Sequence, residues 1–216
     1  MSYHRQRMSS DTQLITISIG GNDVGFGNVL TTCTMSTDQE GTTQEKHQIE
    51  HDACIEAIDD ARDIATNTTL QRKLETVFSG LRNLGNQDLQ VVVVGYPNLL
   101  PAYGDIVGSC IWGNGYAKTS GRNVASDEVQ KSRLLHDELN TTIENAVDAT
   151  NDSHIHFVDP SSAFVGHELC RPNPWFNNVV PDALDTVMQN MSYHPNKSGQ
   201  IAYAAAIGTE VNNILP

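Results

Sequence analysis

The stretch Leu14–Asp23, which reads LITISIGGND, decides the fold of this 216-residue chain. Five of its first six residues are Leu, Ile or Thr, which suit a pleated, buried surface. A short apolar run that stops at a glycine pair is typical of a parallel strand covered on both faces. The sequence therefore predicts a buried strand and then a sharp turn at Gly20 and Gly21.

Asn22 and Asp23 follow that turn at the carboxyl end of the strand, where open α/β sheets bind ligands. An asparagine amide in this place can donate a hydrogen bond to a developing oxyanion. The same residue types also form ordinary turns for local reasons. From this stretch alone, a functional site and a plain turn are equally favoured.

The rest of the chain alternates between strand-like and helix-like patterns. Further strands are predicted at 89–96 and 154–159, and helices at 44–65, 69–84, 126–149 and 196–214. A short helix or loop shoulder is predicted at 24–30 and a loop at 31–44. This order predicts one α/β domain with a parallel sheet, at 13–216, after a polar leader at 1–12.

Apolar stripes on these helices predict which residues form the core. On the helix at 44–65 the stripe begins at Ile49. The stripe of the helix at 126–149 consists of Leu135, Leu139, Ile143 and Ala146. That of the last helix consists of Ile201, Ala204, Ala205, Ile207, Val211 and Ile214.

The composition indicates a globular chain and argues against two classes of partner. Hydrophobic residues make up 38% of the chain and charged residues 18%, which fits a folded rather than a disordered protein. The net charge of −13 argues against nucleic acid and against anionic membrane surfaces. No apolar run approaches the roughly 20 residues that a membrane span needs.

Cysteines and glycosylation sequons point to an extracellular protein. The four cysteines are widely spaced, which fits two disulfides in any of three connectivities. Sequons that would make it a glycoprotein occur at Asn67, Asn140, Asn151, Asn190 and Asn196. The start, MSYHRQRMSS, is basic, but no apolar segment follows it, so we expect no signal peptide within this chain.

A second candidate site, Ser192–Asn196 (SYHPN), precedes the last predicted helix. Pro195 presets the backbone for helix entry and places His194 at the mouth of the helix. An exposed imidazole there can act as a general base. An isolated His-Pro is more often a surface histidine in a capping turn, so the motif gains weight only beside the first one.

Three stretches carry a family resemblance when the chain is taken as a whole. They are ISIGGNDVGF at Ile17–Phe26, VVVVGYPNLLP at Val91–Pro101 and YHPNKSGQIAYA at Tyr193–Ala204. Together they resemble the SGNH hydrolases, also called the GDSL esterase/lipase family. With CRPNPWFN at Cys170–Asn177, the chain is most similar to secreted, disulfide-containing members, and the resemblance runs from residue 12 onward.

The resemblance implies a three-layer α/β/α (flavodoxin-like) fold with a parallel sheet, and an extracellular carboxylic-ester hydrolase acting on a small-molecule or lipid ester. Asn22 matches the family's oxyanion asparagine, and His194 matches the base that takes a proton from a serine. Gly20, Gly21 and Asp23 would support the oxyanion turn. No metal and no organic cofactor are implied.

The resemblance also implies the disulfide pairing. The family's arrangement joins a cysteine soon after GGND to one about twenty residues further on, and a later pair staples the long loops. This gives Cys33–Cys54 and Cys110–Cys170. The long loops also contain Trp112, Tyr116 and Trp175, which are candidates to line an acyl pocket.

The chain departs from the family pattern at the nucleophile. The family's serine lies in a Gly-Asp-Ser block on a strand before GGND, and no Gly-Asp-Ser occurs in this sequence. We therefore expect an SGNH fold whose N-terminal strands are missing, with an exposed sheet edge to which another chain could pair. The absent block leaves open a non-catalytic SGNH-like remnant.

Two further interpretations concern single motifs. Many family members place an acidic residue three positions before the histidine, where this chain has Met191, so the Met191 carbonyl is a candidate to orient His194, with Asp185 as a weaker one. His47–His51 reads HQIEH and matches a zinc-peptidase pattern in which two histidines share a helix face. A zinc metallopeptidase is the less favoured alternative, because polar helix faces are commonly just solvated.

Overall fold

A computed structural model describes residues 9, 11–36, 41–84, 87–106, 108–112, 120–179 and 192–215. The strands are β1 (Leu14–Ile17), β2 (Gln90–Val94) and β3 (Ile155–Val158). The helices are α1 (Phe26–Thr34), α2 (Thr43–Ala65), α3 (Thr68–Arg82), α4 (Ser126–Ala149), α5 (Ser161–Phe164) and α6 (Lys197–Ile214), with a 3-10 turn at Tyr103–Asp105.

The three strands form one parallel sheet in the order β1-β2-β3. Leu14 aligns with Gln90, and Val91 aligns with Ile155. The central strand β2 has four consecutive buried valines, as expected for a parallel strand covered on both faces. The prediction of an α/β fold with a parallel sheet is confirmed.

Helices cover both faces of the sheet, which gives three layers. Val92 aligns with His156, whose imidazole lies 3.3 Å from the Glu210 carboxylate of α6. Val93, the next residue, points to the opposite face and belongs to a core cluster that contains Leu139 of α4. The sheet therefore lies between α6 on one face and α3 and α4 on the other.

Helix α4 follows the sequence prediction closely. Its bounds are the predicted ones, and Leu135, Leu139, Ile143 and Ala146 are all buried. Its N-cap is Ala125, whose amide donates a hydrogen bond of 2.8 Å to the Glu128 side chain in the first turn.

The strand prediction was wrong about how β1 is covered. Leu14, Ile15 and Ile17 are only half-buried and Thr16 is exposed, although both faces were expected to be covered. The reason is the position of β1 in the sheet: β2 pairs with one of its edges, and no described residue pairs with the other. The first stretch is therefore an edge strand, in keeping with the exposed sheet edge that the sequence analysis also predicts.

The predicted loop at 31–44 was also wrong at both ends. Helix α1 continues to Thr34, because Cys33 is fully buried and bonded to Cys54 of α2. Helix α2 already begins at Thr43, where Thr42 and Glu45 form a reciprocal capping box. On α2 the predicted core residue Ile49 is exposed, and Glu50 is buried instead.

The predicted core stripe of α6 was wrong as well. Ile201 is 62% exposed, and Ala204 and Ala205 are exposed, whereas Ile207, Val211 and Ile214 are half-buried. The fully buried residues of the helix are Gly199 and Ala202. The helix turns its smallest residues inward because Gly199 lies against the Trp175 carbonyl and the Phe164 ring. Periodicity alone predicts that the wider apolar side of this helix is the buried one.

Two disulfides join Cys33 to Cys54 and Cys110 to Cys170, the pairs that the resemblance implies. The first links α1 to α2, and the second ties the segment after the 3-10 turn to the segment before α6. Within the described ranges, no helix has the length and apolar character needed to cross a bilayer.

Candidate active site

The Gly-Gly-Asn-Asp segment forms a tight turn that leads from β1 into α1. Gly20 has φ +112°, a conformation that favours glycine, and its carbonyl accepts the Val24 amide at 3.1 Å. The Gly21 carbonyl accepts the Phe26 amide at 3.0 Å. Both glycines are buried, whereas Asn22 and Asp23 are exposed at the tip of the turn. The turn therefore presents the Asn22 amide to solvent from a fixed backbone.

Tyr96, which follows β2, fixes this turn through a hydrogen bond. Its hydroxyl accepts a 3.0 Å hydrogen bond from the Gly21 amide. Its own backbone is fixed by Asn140, whose side chain accepts from the Tyr96 amide at 2.9 Å and donates to the Tyr96 carbonyl at 2.8 Å. The sequence interpretation missed Tyr96 and Asn140, and only the position of Tyr96 just past a buried strand could have pointed to them.

His194 lies on an exposed turn before α6, and a backbone carbonyl orients its ring. Its Nδ1 lies 3.1 Å from the Ser192 carbonyl oxygen. A carbonyl can only accept, so Nδ1 carries the proton and Nε2 is left with a free lone pair. In this tautomer the imidazole can accept a proton at Nε2.

The predicted orienting residues, Met191 and Asp185, lie outside the described residues. A backbone carbonyl was predicted to orient the imidazole, and the described structure assigns that place to Ser192. Tyr193 lies between Ser192 and His194. Its φ of +62° turns the chain so that the Ser192 carbonyl faces the His194 ring.

The structure brings the two candidate side chains to the same end of the sheet. Asn22 follows the carboxyl end of β1. The Tyr203 hydroxyl of α6 donates to the Gly95 carbonyl just past β2 at 3.2 Å, which places the start of α6, and with it His194, at that end. Burial raises the pKa of Tyr203, so this hydroxyl keeps its proton. No described contact joins Asn22 to His194 directly.

No described serine hydroxyl forms a hydrogen bond with His194. One serine does meet an imidazole elsewhere: Ser161 Oγ lies 3.1 Å from His136 Nε2, and His136 Nδ1 lies 2.8 Å from Asp137. The same Nε2 is 2.5 Å from the Tyr96 carbonyl, which can only accept. Nε2 therefore carries a proton and cannot take one from Ser161. His136 instead holds the Tyr96 backbone through a hydrogen bond to its carbonyl.

The residues of the zinc-peptidase motif at His47–His51 do not form a metal site with other described residues. The His51 ring lies 3.0 Å from both Asp52 and Asp127, and Glu50 is only 2% exposed. Burial lowers the pKa of His51, but the two carboxylates outweigh it and raise that pKa above its ordinary value. Among the described residues, no group of His, Cys, Asp and Glu has the geometry of a metal site.

A cavity of about 330 Å³ lies beside the His194 turn. Its apolar lining comes from Leu100, Trp112, Val124, Leu169, Tyr193 and the Cys110–Cys170 disulfide, and its polar lining includes Ser109, Arg171 and Asn178. Of the aromatic residues suggested by sequence, Trp112 lines it, Trp175 instead stacks on His167 at 3.7 Å, and Tyr116 lies outside the described residues.

A buried ion pair fixes the Trp112 side of this cavity. The Trp112 indole donates to Glu128 at 3.0 Å, and the Arg122 guanidinium lies 2.5 Å from the same carboxylate. Arg122 is 5% exposed and Glu128 is fully buried. Paired charges in this environment hold a single geometry, because separating them would leave an uncompensated buried charge.

The three-layer fold thus has Asn22 and the oriented His194 imidazole at the same end of its sheet. No protein-family model matches the sequence. The chain is 31% identical over 195 residues to a lipase of Streptomyces rimosus and 31% identical over 193 residues to lipase 1 of Streptomyces coelicolor. Each match covers 89% of this chain and 58% of the lipase, so the chain spans little more than half of these relatives.

Two solved structures have a similar fold. The extracellular lipase of Streptomyces rimosus superposes with a TM-score of 0.67 and 26% identity, over 93% of this chain and 70% of the lipase chain. Phospholipase A1 of Streptomyces albidoflavus NA297 superposes with a TM-score of 0.72 and 26% identity, over 96% and 73%. With the GGND and HPN motifs at the same end of one sheet, these similarities confirm the resemblance to the SGNH hydrolase family.

Proposed function

We propose that this protein hydrolyses carboxylic esters of lipids, with His194 as general base and Asn22 as oxyanion donor. The observation that carries the proposal is the oriented His194 ring, whose Nδ1 donates to the Ser192 carbonyl and whose Nε2 bonds to none of the described residues. The two Streptomyces relatives are named lipases, and a structural neighbour is a phospholipase A1. These names support an ester-lipid substrate.

In this mechanism a serine hydroxyl attacks the ester carbonyl and passes its proton to His194 Nε2. The carbonyl oxygen becomes an oxyanion, and the Asn22 amide donates a hydrogen bond to it. His194 then returns the proton to the leaving alkoxide, and water hydrolyses the acyl-serine by the same steps in reverse order. The sequence contains no Gly-Asp-Ser, the block in which the nucleophilic serine of SGNH hydrolases lies.

The cavity beside the His194 turn is the proposed acyl-chain subsite. Its volume of about 330 Å³ falls within the range of ligand pockets, and Tyr193 both lines it and adjoins His194. Its position between two disulfide-bonded loops suits an enzyme that works outside the cell, where such bonds persist. We therefore also propose that the protein is secreted.

The second candidate function is binding of ester lipids without hydrolysis. The observation in its favour is that no described serine hydroxyl contacts His194. Both functions predict that the cavity holds an acyl chain. They differ in whether the ester bond is broken.

The test is hydrolysis of 4-nitrophenyl butyrate by the purified chain and by its His194→Ala and Asn22→Ala variants. We expect about a 100- to 1000-fold loss of kcat in Asn22→Ala, the cost of one oxyanion donor, and a loss at least as large in His194→Ala. A fluorophosphonate probe, followed by peptide mass spectrometry, identifies the serine. Binding of a fluorescent fatty acid with neither hydrolysis nor labelling would contradict the proposed function and support the second one.

A further inference from the structure

Tyr193 has an unusual backbone conformation for its side chain. Its φ of +62° lies in the left-handed region, which bulky residues rarely occupy. Among the described non-glycine residues, only Asn151 and Cys170 share a positive φ. Such conformations are costly and persist only where the surroundings enforce them.

Three contacts enforce this conformation. The Tyr193 ring is buried, with 9% exposure, and its hydroxyl lies 2.7 Å from the Thr34 hydroxyl at the end of α1. The Tyr193 amide donates to the Asn177 carbonyl at 3.1 Å. The Asn177 amide donates to the His194 carbonyl at 2.8 Å. The turn is therefore fixed on both sides of Tyr193.

This conformation has a direct chemical consequence for His194. A ring can reach the carbonyl two residues before it only if the intervening residue reverses the chain. The left-handed Tyr193 provides that reversal, and the 3.1 Å contact from His194 Nδ1 to the Ser192 carbonyl results. The contact sets the tautomer, because a carbonyl requires the proton to be on Nδ1.

We propose that Tyr193 is a positioning residue whose buried hydrogen bond to Thr34 holds His194 in the tautomer that can accept a proton at Nε2. The proposal rests on the proposed role of His194 as a general base. It assigns Thr34, at the far end of the helix that follows Asn22, a part in orienting the base. One helix thus links the candidate oxyanion turn to the candidate base turn.

The test reads the His194 tautomer directly, by long-range ¹H–¹⁵N correlation of the histidine rings in the labelled chain, with His194→Gln used for assignment. Tyr193→Phe removes the hydroxyl from one side of the bond, and Thr34→Val removes it from the other. We expect the neutral wild-type ring to be in the Nδ1–H form. Each variant should shift the tautomer ratio toward Nε2–H by about two- to tenfold, the range that one neutral hydrogen bond supports.

Thr142→Val is the matched control for Thr34→Val, because it deletes another buried threonine hydroxyl, which donates to the Ala65 carbonyl of α2 rather than to the His194 turn. The double variant Tyr193→Phe/Thr34→Val should shift the ratio no further than either single change, since both remove one bond. With two independent variants, the test does not depend on either one folding. An Nδ1–H tautomer unchanged in both, or absent from the wild type, overturns the proposal.

Kinetics separate this proposal from the proposed function. If the chain is an esterase, the two variants should lower kcat by about two- to tenfold with little change in KM, because the base acts in the chemical step. A tautomer shift in a chain without esterase activity would support the positioning role and contradict the proposed function. Esterase activity in variants whose His194 tautomer is unchanged would support the proposed function and contradict the positioning role of Tyr193.

Discussion

Single residues in this structure explain motifs that the sequence presents without a reason. Gly199, in the stretch HPNKSG, is an example. A Cβ added at this position would lie 2.4 Å from the Trp175 carbonyl oxygen and 2.8 Å from Pro195. That carbonyl also accepts the Asn196 amide at 2.8 Å, so it cannot move away freely. The glycine is there because the start of α6 touches another backbone.

Gly199→Ala is therefore expected to destabilise the fold by about 2 kcal/mol, through overpacking. The matched control is Gly208→Ala in the same helix, where an added Cβ meets nothing within 4 Å. We expect that change to stabilise the fold by up to about 1 kcal/mol, since alanine favours helix over glycine. Urea unfolding measures both, and equal effects of the two substitutions would contradict the packing argument.

The candidate site also shows at this scale what sequence could and could not predict. Asn22 and His194 could be named because each follows or precedes a recognisable element. Tyr96 and Asn140 could not, because their role depends on contacts across 75 and 44 residues of chain. The carbonyl that orients His194 carries no side-chain signal at all, since it depends on the backbone angle of Tyr193.

Among the elements, β1 differs most from its sequence prediction, and its open edge has consequences of its own. Gln13 and the alternate residues after it direct their backbone groups to β2, as the bond from the Gln90 amide to the Gln13 carbonyl shows. The backbone amide and carbonyl of Thr16 point away from β2, and the residue is exposed. An edge that presents unpaired amides and carbonyls can pair with another strand.

We predict that the purified chain self-associates through this edge in a concentration-dependent way. Thr16→Lys should weaken the association by about tenfold or more, because two added charges would face each other across a two-fold interface. Thr76→Lys adds the same charge on the exposed side of α3 and is the control. Sedimentation velocity measures both. A cooperatively melting monomer at every concentration would show that the edge needs no partner.

Helix bounds were predictable where apolar period and caps agree, as on α4. The predicted end of α1 was wrong, whereas on α6 the bounds held and the predicted core stripe failed. In both helices a long-range contact decides the packing. A disulfide to α2 extends α1 into what composition predicts as a loop. On α6, the close approach of Gly199 to Trp175 overrides the wider apolar stripe. Local periodicity in the sequence carries no information about such long-range contacts.

For the molecule as a whole, one ion-pair cluster joins α3 to the loops before β2 and β3, at the end of the sheet away from the candidate site. Arg82 of α3 donates to Asp152 at 2.9 Å and to the Leu89 carbonyl at 2.7 Å. The His154 amide donates to the other Asp152 oxygen at 3.0 Å. Burial alone would raise the pKa of Asp152, but these hydrogen bonds outweigh it and lower the pKa to about 2.

Because the folded pKa of Asp152 lies below its ordinary value of 3.8, this carboxylate stabilises the fold at higher pH. The contribution is complete above about pH 4 and is lost as the pH falls toward 2. Asp152→Asn should cost about 1 kcal/mol at pH 7, an amount reduced by solvent screening, and should cost little at pH 2. Asp60→Asn, on the exposed side of α2, makes the same charge change as a control. Urea midpoints across this pH range provide the test, and a pH-independent cost would contradict the linkage.

The burial of Asn140 bears on how the protein can be produced. Asn140 is one of the sequon asparagines, yet it is 6% exposed and both ends of its amide are bonded to Tyr96. A eukaryotic secretory host attaches glycans while chains are still unfolded, and a glycan on Asn140 could not be accommodated beneath the GGND turn. The bacterial periplasm oxidises cysteines without this modification, so yield from that compartment should exceed yield from yeast unless Asn140 is replaced.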